Sequence, residues 1–168
     1  MKKQIIFLAC AAVAGAACEN TNSIPAVSDF QIERYMGKWY ETARLPNWFE
    51  RGMDKVTAEY SLNEDGTVKV VNSGFRDGEV SSVSGIARFA GEKDTGELEV
   101  SFFRPFYSPY RIIYLTPDYS YSVVTGSDPN YLWILAREPE MDDRYKDEIF
   151  VFLEQNGFDT KELICSWE

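Results

Sequence analysis

Histidine is absent from the 168 residues. That absence removes Ser-His-Asp and Cys-His nucleophilic catalysis, a His-ligated haem and most catalytic zinc sites together. Cysteine is scarce. Three of them are too few for a Cys-only structural zinc site or a disulfide scaffold, and no metal or cofactor is expected. Basic residues are outnumbered, 17 against 27 acidic, for a formal net charge of −10. Such a balance argues against nucleic acid as a partner and against docking on anionic lipid through a basic patch. No internal repeat or interdomain linker interrupts the chain, whose length suits one ordinary domain and hardly two. What is plentiful is apolar and aromatic surface. Hydrophobic residues make up 45%, and the aromatics comprise 11 Phe, 10 Tyr and 4 Trp. In a small globular domain this load calls for large apolar surfaces to be filled.

The first eighteen residues read as a targeting segment rather than as fold. Lys2 and Lys3 precede an apolar run from Ile5 to Ala17, too short to span a bilayer and of the length of a secretory signal. The run ends in Gly15-Ala16-Ala17-Cys18, which resembles a bacterial lipoprotein cleavage box. That resemblance implies a cut before Cys18 and lipidation of its thiol. Gly15 stands where a leucine is usual, and an ordinary signal cut near Ala17 is the alternative. Residues 19–28 (Asn20, Thr21, Asn22, Ser23, Pro25 among them) are small and polar, as in a short tether, and the domain is placed at 29–168. Once Cys18 is acylated, Cys165 is left as a lone thiol. With Lys161 its only nearby cation in sequence, it reads as a quiet packed residue rather than a reactive nucleophile.

From Tyr35 onward apolar and polar residues alternate. The alternation predicts strands at about 38–46, 54–62, 67–75, 79–90, 96–103, 110–116, 119–126 and 130–137. Turn signals separate most of them: Asn63 to Gly66, Asp77-Gly78, Gly91 to Gly96, Pro117-Asp118 and Asp128-Pro129. Eight strands joined in order by short turns predict an all-β, up-and-down antiparallel barrel, which removes exposed edges by closing on itself. In Asp142 to Asn156, Tyr145, Ile149, Phe152 and Leu153 recur at helical spacing. They predict one C-terminal α-helix stopped by Gly157 and packed through Ile149 and Phe152 on the barrel's outer wall. A short final strand is expected within Lys161–Trp167.

Period two sends alternate side chains to one face of a sheet. The apolar sets are Ala58 and Tyr60; Val68, Val70 and Asn72; Leu98, Val100 and Phe102; Ile112 and Tyr114; Tyr131, Trp133 and Leu135. They suit either a solid core or a cavity for one small ligand, which an eight-stranded barrel is just wide enough to hold.

Three motifs now point to a family. Gly37-Lys38-Trp39-Tyr40-Glu41, opening the first strand, resembles the lipocalin Gly-x-Trp signature. Thr116-Pro117-Asp118-Tyr119 resembles the second lipocalin motif, and Arg137, closing the eighth strand before the helix, matches the arginine of the third. The order and strand positions agree over about residues 29–168. The nearest resemblance is to bacterial outer-membrane lipoprotein lipocalins, relatives of apolipoprotein D and of plant temperature-induced lipocalins. Runs such as Phe49-Glu50-Arg51-Gly52 and Tyr131-Leu132-Trp133-Ile134-Leu135 carry it. The motif residues Gly37, Trp39, Asp118, Tyr119 and Arg137 read as fold closure. Trp39 is expected to plug the closed end with the Arg137 guanidinium laid against its indole, and Asp118 to accept backbone N–H bonds in its turn.

The ligand residues must lie inward and nearer the open end. Parity and the match to lipocalin strand positions nominate Glu41, Ala43, Ala58, Tyr60, Val70, Asn72, Val100, Phe102, Ile112, Tyr114, Val123, Tyr131 and Trp133, with plain core packing as the alternative for each. Glu41 is the odd member, because an unpaired inward carboxylate is costly. It either pairs with an inward Arg, Tyr or water, or meets a ligand headgroup. Residues 46–49 and 104–109 are expected to frame the mouth.

The resemblance implies a non-enzymatic, membrane-anchored carrier of a fatty acid or lysophospholipid in a bacterial outer membrane, monomeric or homodimeric. Two other classes compete with it. One is a lipocalin-fold enzyme acting on a lipid through Cys165 or an acid pair. The other is an envelope interaction module whose barrel is filled by its own side chains.

Overall fold

A computed structural model describes residues 24–128 and 130–166. The signal segment 1–18 with Cys10 and Cys18, most of the expected tether, Pro129 and Trp167 lie outside the described residues. Eight strands follow one another: β1 (Gly37–Arg44), β2 (Met53–Leu62), β3 (Val68–Arg76), β4 (Glu79–Phe89), β5 (Glu97–Phe103), β6 (Phe106–Leu115), β7 (Tyr121–Thr125) and β8 (Leu132–Ala136). Each pairs antiparallel with the next, and β1 pairs with both β8 and β2, so the sheet closes into a barrel. The all-β, up-and-down architecture is the one the alternation predicts, with strand ends shifted by a residue or two except in β6, which begins at Phe106, four residues earlier than expected and within the stretch assigned to the mouth.

Three additions complete it. A one-turn helix, α1 (Ile32–Tyr35), leads into β1. Helix α2 (Asp143–Gln155) follows β8. Then come a 3-10 turn at Thr160–Glu162 and the two-residue β9 (Ile164–Cys165). Asp142 caps α2 by accepting the Arg144 N–H at 2.9 Å. The helix stops where Gly157 takes φ +83° and the Phe158 N–H returns to the Leu153 carbonyl at 3.0 Å. Its buried stripe is Ile149 and Leu153. Phe152, expected to share that role, is half-buried beside Tyr114.

β1 pairs with β2 only over Gly37–Tyr40; its later half pairs with β9 at Ala43–Arg44. The seam between β1 and β2 therefore opens toward the far end of the barrel. The C-terminal strand covers the edge of β1 left there, an edge that would otherwise invite pairing with other chains. Ser166 then bridges the seam, its N–H on the Thr42 carbonyl and its carbonyl receiving the Lys55 N–H.

There are two cores. One fills the closed end inside the barrel (Trp39, Tyr35, Val68, Leu98, Ile112 and Phe30 among others). The other lies between the outer wall and α2 (Ile134, Val123, Leu132, Ile149, Leu153). Residues 24–28, assigned to the tether by composition, are docked on the barrel instead. Val27 donates to the Ile112 carbonyl and receives the Gly96 N–H, and Arg111 holds the Ile24 carbonyl.

Candidate ligand cavity

At one end the barrel is sealed. Trp39 is fully buried (0% exposed) and donates its indole N–H to the Tyr35 carbonyl at 2.8 Å. The Arg137 guanidinium lies 3.9 Å from the indole centroid, and its N–H groups hold the carbonyls of Arg34, Lys38 and Tyr119. Gly37 is needed beside it. Its φ is +92°, and a Cβ there would stand 3.4 Å from an Arg137 nitrogen. Asp118 accepts the Ser120 N–H at 3.1 Å and its hydroxyl at 2.7 Å, and Tyr119 follows at φ +61° under the Arg34 guanidinium.

Toward the other end the interior is not filled. A cavity of about 140 Å³ remains. Val56, Ala58 and Tyr60 of β2, Val70 and Asn72 of β3, and Val100 and Phe102 of β5 form one side. Tyr110, Val124, Tyr131, Trp133 and Leu135 form the other, with Glu41 on β1. Phe49 and Glu50 of the β1–β2 loop, Ser108, Pro109, Gly126 and Ser127 border it. The surface is largely hydrocarbon and aromatic. Phe49, Tyr131 and Trp133 stand with ring centroids 5.8–6.4 Å apart.

Its floor is polar but internally satisfied. The Tyr110 hydroxyl meets those of Tyr60 and Tyr35 at 2.9 Å each, and Tyr35 meets Ser122 at 3.2 Å. Burial raises the pKa of all three phenols, that of Tyr35 to about 12, so they stay protonated and serve as hydrogen-bonding hydroxyls. One wall carries an ionic cluster. Arg44 (3% exposed) donates to Glu41 Oε1 at 2.8 Å and to Ser166 Oγ at 3.1 Å. It also holds the carbonyls of Glu50 and Met53. Its Nε stands 3.7 Å from Glu50 Oε2, which receives the Trp133 indole N–H at 3.0 Å and the Asn47 amide. One guanidinium shared by two buried carboxylates does not keep both comfortably ionised. Burial first, then the Glu50 charge, pushes the Glu41 carboxyl up to about 8, with Arg44 opposing.

The sequence matches the lipocalin-like domain family over residues 30–167. The chain belongs to the lipocalin family. Among its relatives, a protein named outer membrane lipoprotein Blc from Citrobacter freundii is 43% identical over 143 residues, 84% of this chain and 81% of that one. A protein of the same name from Escherichia coli K12 is 39% identical over 165 residues, 95% and 93% of the two chains. Temperature-induced lipocalin-1 of Arabidopsis thaliana is 33% identical over 82% of this chain and 78% of its own. Of the solved structures, insecticyanin from Manduca sexta superposes with a TM-score of 0.74 at 18% identity, covering 91% and 87% of the chains. That last likeness is one of fold.

In this lipocalin, Glu41, Ala58, Tyr60, Val70, Asn72, Val100, Phe102, Tyr131 and Trp133 come together on the cavity surface. Four other nominees do not. Ile112 points inward but is fully buried in the closed-end core below the cavity. Ala43, Tyr114 and Val123 face outward, into the layer under α2; Tyr114 donates its hydroxyl to Glu148 of that helix at 2.6 Å. Bulges are the reason for the first two. The pairing of β1 with β8 slips between Glu41 and Ala43, and that of β6 with β7 slips between Ile112 and Tyr114. One extra residue in a strand reverses which side chains face in. The β1 bulge turns Arg44 inward in place of Ala43 and so supplies the partner Glu41 requires. Val123 was misassigned because both faces of β7 are buried, leaving apolar character without directional information.

Parity carried further reaches Val56, Tyr110 and Leu135, each two residues from a nominee. Nothing in the alternation marks Glu50, a loop residue folded back into the barrel. Cys165, expected to be packed, is exposed on β9 and does not line the cavity. Trp48, Phe103 and Phe106 stand out in solvent at 54%, 64% and 63% exposure.

Proposed function

We propose that this lipocalin carries a single-chain lipid, of the fatty acid or lysophospholipid class, tail-first in the barrel. The observation that supports it is the open, apolar, aromatic-lined cavity. An apolar cavity of about 150 Å³ stays dry and takes up a benzene-sized guest, so one of about 140 Å³ with an open mouth suits the end of an alkyl chain. A barrel filled by its own side chains, the requirement of a pure interaction module, is not what the interior looks like. The reading is of a binding protein rather than an enzyme, since Cys165 stands away from the cavity.

Chain length should set affinity. Each methylene buried contributes about 0.8 kcal/mol, roughly a fourfold gain in affinity. Titration of residues 19–168 with lysophospholipids of about 8 to about 16 carbons, followed through tryptophan emission, should show that step until the cavity is full and a plateau beyond it. Trp133 is the reporter, as Trp39 is sealed away from the cavity. Ala58→Phe, which places a ring in the cavity, should lower the affinity for every chain by at least about tenfold, with a loss of stability of no more than about 1–3 kcal/mol because Ala58 also borders the buried core. Saturable binding indifferent to chain length would refute the carrier reading.

The place of action we propose is the bacterial outer membrane, with Cys18 acylated as the anchor. The relatives named outer membrane lipoproteins and the lipoprotein-like box ending at Cys18 support this. One myristoyl-length chain holds only marginally, so multiple acylation is required for a stable anchor. In cells fed labelled palmitate, Cys18→Ala should lose the label and leave the membrane fraction. Label retained on the variant would exclude the anchor.

A further inference from the structure

Exposed apolar side chains gather at one end of the barrel. Strands β1, β3 and β5 run toward the cavity mouth, so the β1–β2 loop and the β3–β4 and β5–β6 hairpins all turn there. Trp48 stands on the first. Phe75 and Val80 face each other across the tip of the second. Phe103 and Phe106 do so across the tip of the third, their rings stacked with centroids 6.3 Å apart. All five are exposed. Neither core includes any of them, and none lines the cavity. Among the described residues the other large exposed hydrophobics are Leu62, Val151 and Ile164, each alone on a different element. Single apolar residues on a surface need no explanation; a cluster of five around an opening marks a place of contact.

Charge is distributed to match. The loops at the sealed end hold Glu64, Asp65, Glu92, Asp94 and Asp118 against Lys93 alone. At the open end Arg51, Arg76 and Arg104 balance the solvent-facing Asp77, Glu79 and Asp128. An aromatic rim without surplus charge suits a lipid interface, where arginines keep their heads among the headgroups; the acidic sealed end is repelled by anionic lipid. The chain upstream points the same way. Arg111 of β6 holds the Ile24 carbonyl at 2.8 Å, and Cys18 lies six positions before Ile24, a span of at most about 20 Å. From Arg111 to the rim at Phe106, β6 runs five residues, about 17 Å. An acyl anchor on Cys18 therefore reaches the level of the rim and keeps the barrel close against the bilayer. We propose that the open rim is a membrane-docking face: Trp48, Phe75, Val80, Phe103 and Phe106 enter the lipid interface and set the cavity mouth against it. A lipid then passes between bilayer and barrel without crossing water. That use of the face rests on the carrier reading above; the docking itself needs neither ligand nor anchor.

The test leaves the anchor out, so that only the folded domain can hold the membrane. The chain from residue 19 is sedimented with vesicles of phosphatidylcholine and phosphatidylethanolamine at about 0.1 M and about 1 M NaCl. It should bind equally at both, since apolar insertion is not screened by salt. Phe103→Ser with Phe106→Ser should lower the partition coefficient at least about tenfold, and Phe75→Ser with Val80→Ser comparably. Val151→Ser, comparably exposed on α2, should leave it unchanged. If circular dichroism shows one pair unfolded, the other pair, on a separate hairpin, decides. An unaltered chain that ignores vesicles, binding abolished by salt, or a Val151→Ser loss equal to that of the rim pairs would overturn the docking face. So would a dimer in sedimentation velocity that the rim variants dissociate, found without vesicle binding, because the rim would then cover a second copy. Titration of the same protein with a soluble short-chain lysophospholipid separates the two readings. Lipid bound while vesicles are ignored removes the docking face and spares the carrier; vesicles bound while the lipid is ignored does the reverse.

Discussion

Replacing Trp39 by alanine is expected to lower the melting temperature by on the order of 10 °C. Truncating a buried tryptophan costs about 3–5 kcal/mol, and a domain of this size loses roughly 2–4 °C per kcal/mol. Trp39 meets the conditions for the upper part of that range. It is wholly buried, packs at 4.7 Å from the Tyr35 ring, donates to the Tyr35 carbonyl and supports the Arg137 guanidinium on its face. The closed end is also where the chain is least able to collapse, because Gly37 and the three carbonyls held by Arg137 fix the backbone around the hole. Trp133→Ala is the control. Trp133 borders existing empty space and is only partly buried, so its loss should cost the melting temperature less than half as much while weakening ligand binding. Thermal unfolding by circular dichroism of both variants checks the contrast. Equal destabilisation by the two would mean that the interior is uniformly packed and that the division into plug and cavity is wrong.

That division is partly legible in the sequence alone. Strands bounded by turn residues and covered on one face by water write their parity plainly: Ala58 with Tyr60, Val70 with Asn72, and Val100 with Phe102 are all on the cavity side. The motif residues around Trp39 were legible through their types, since a buried indole, a glycine of positive φ and an arginine at strand's end suit one another. Legibility stopped where physics removes the alternation. β7 is covered on its outer face by α2, so Val123 and Val124 look alike in sequence and point opposite ways. In β1 and β6 a single extra residue reverses the parity, and neither bulge carries a glycine to announce it. The polar wall was the least legible part. It joins Glu41 and Arg44 to Glu50 from a loop and Ser166 from the far end of the chain, 125 positions from Glu41, and pairing at that distance leaves no local pattern.

The same wall yields the second large effect. Arg44→Met should destabilise the protein at pH 7.5 by about 3–5 kcal/mol, because removing one partner of a buried ion cluster strands the others. Glu41 and Glu50 would then face each other at 3% and 5% exposure with no cation between them. The loss should shrink on acidification, and the sign follows from the direction of the shift. Glu41 is held at about 8 in the folded protein against a usual 4.5, so the folded state takes up its proton more readily than the unfolded one. A raised acid of this kind contributes stability that is whole below about 4.5 and is lost as pH climbs through about 8. The unaltered protein should accordingly lose stability from pH 5 to pH 8, and Arg44→Met should lose more over the same interval, since removing the guanidinium raises Glu41 further. A triple variant, Arg44→Met with Glu41→Gln and Glu50→Gln, should regain most of the stability at pH 7.5 and lose the pH dependence, because no buried charge is left to strand. Urea unfolding at several pH values reads all three. Were Arg44→Met as stable at pH 8 as at pH 5, the two carboxylates would have to be reached by water in its absence, and the cluster would not be the dry ionic site its burial implies.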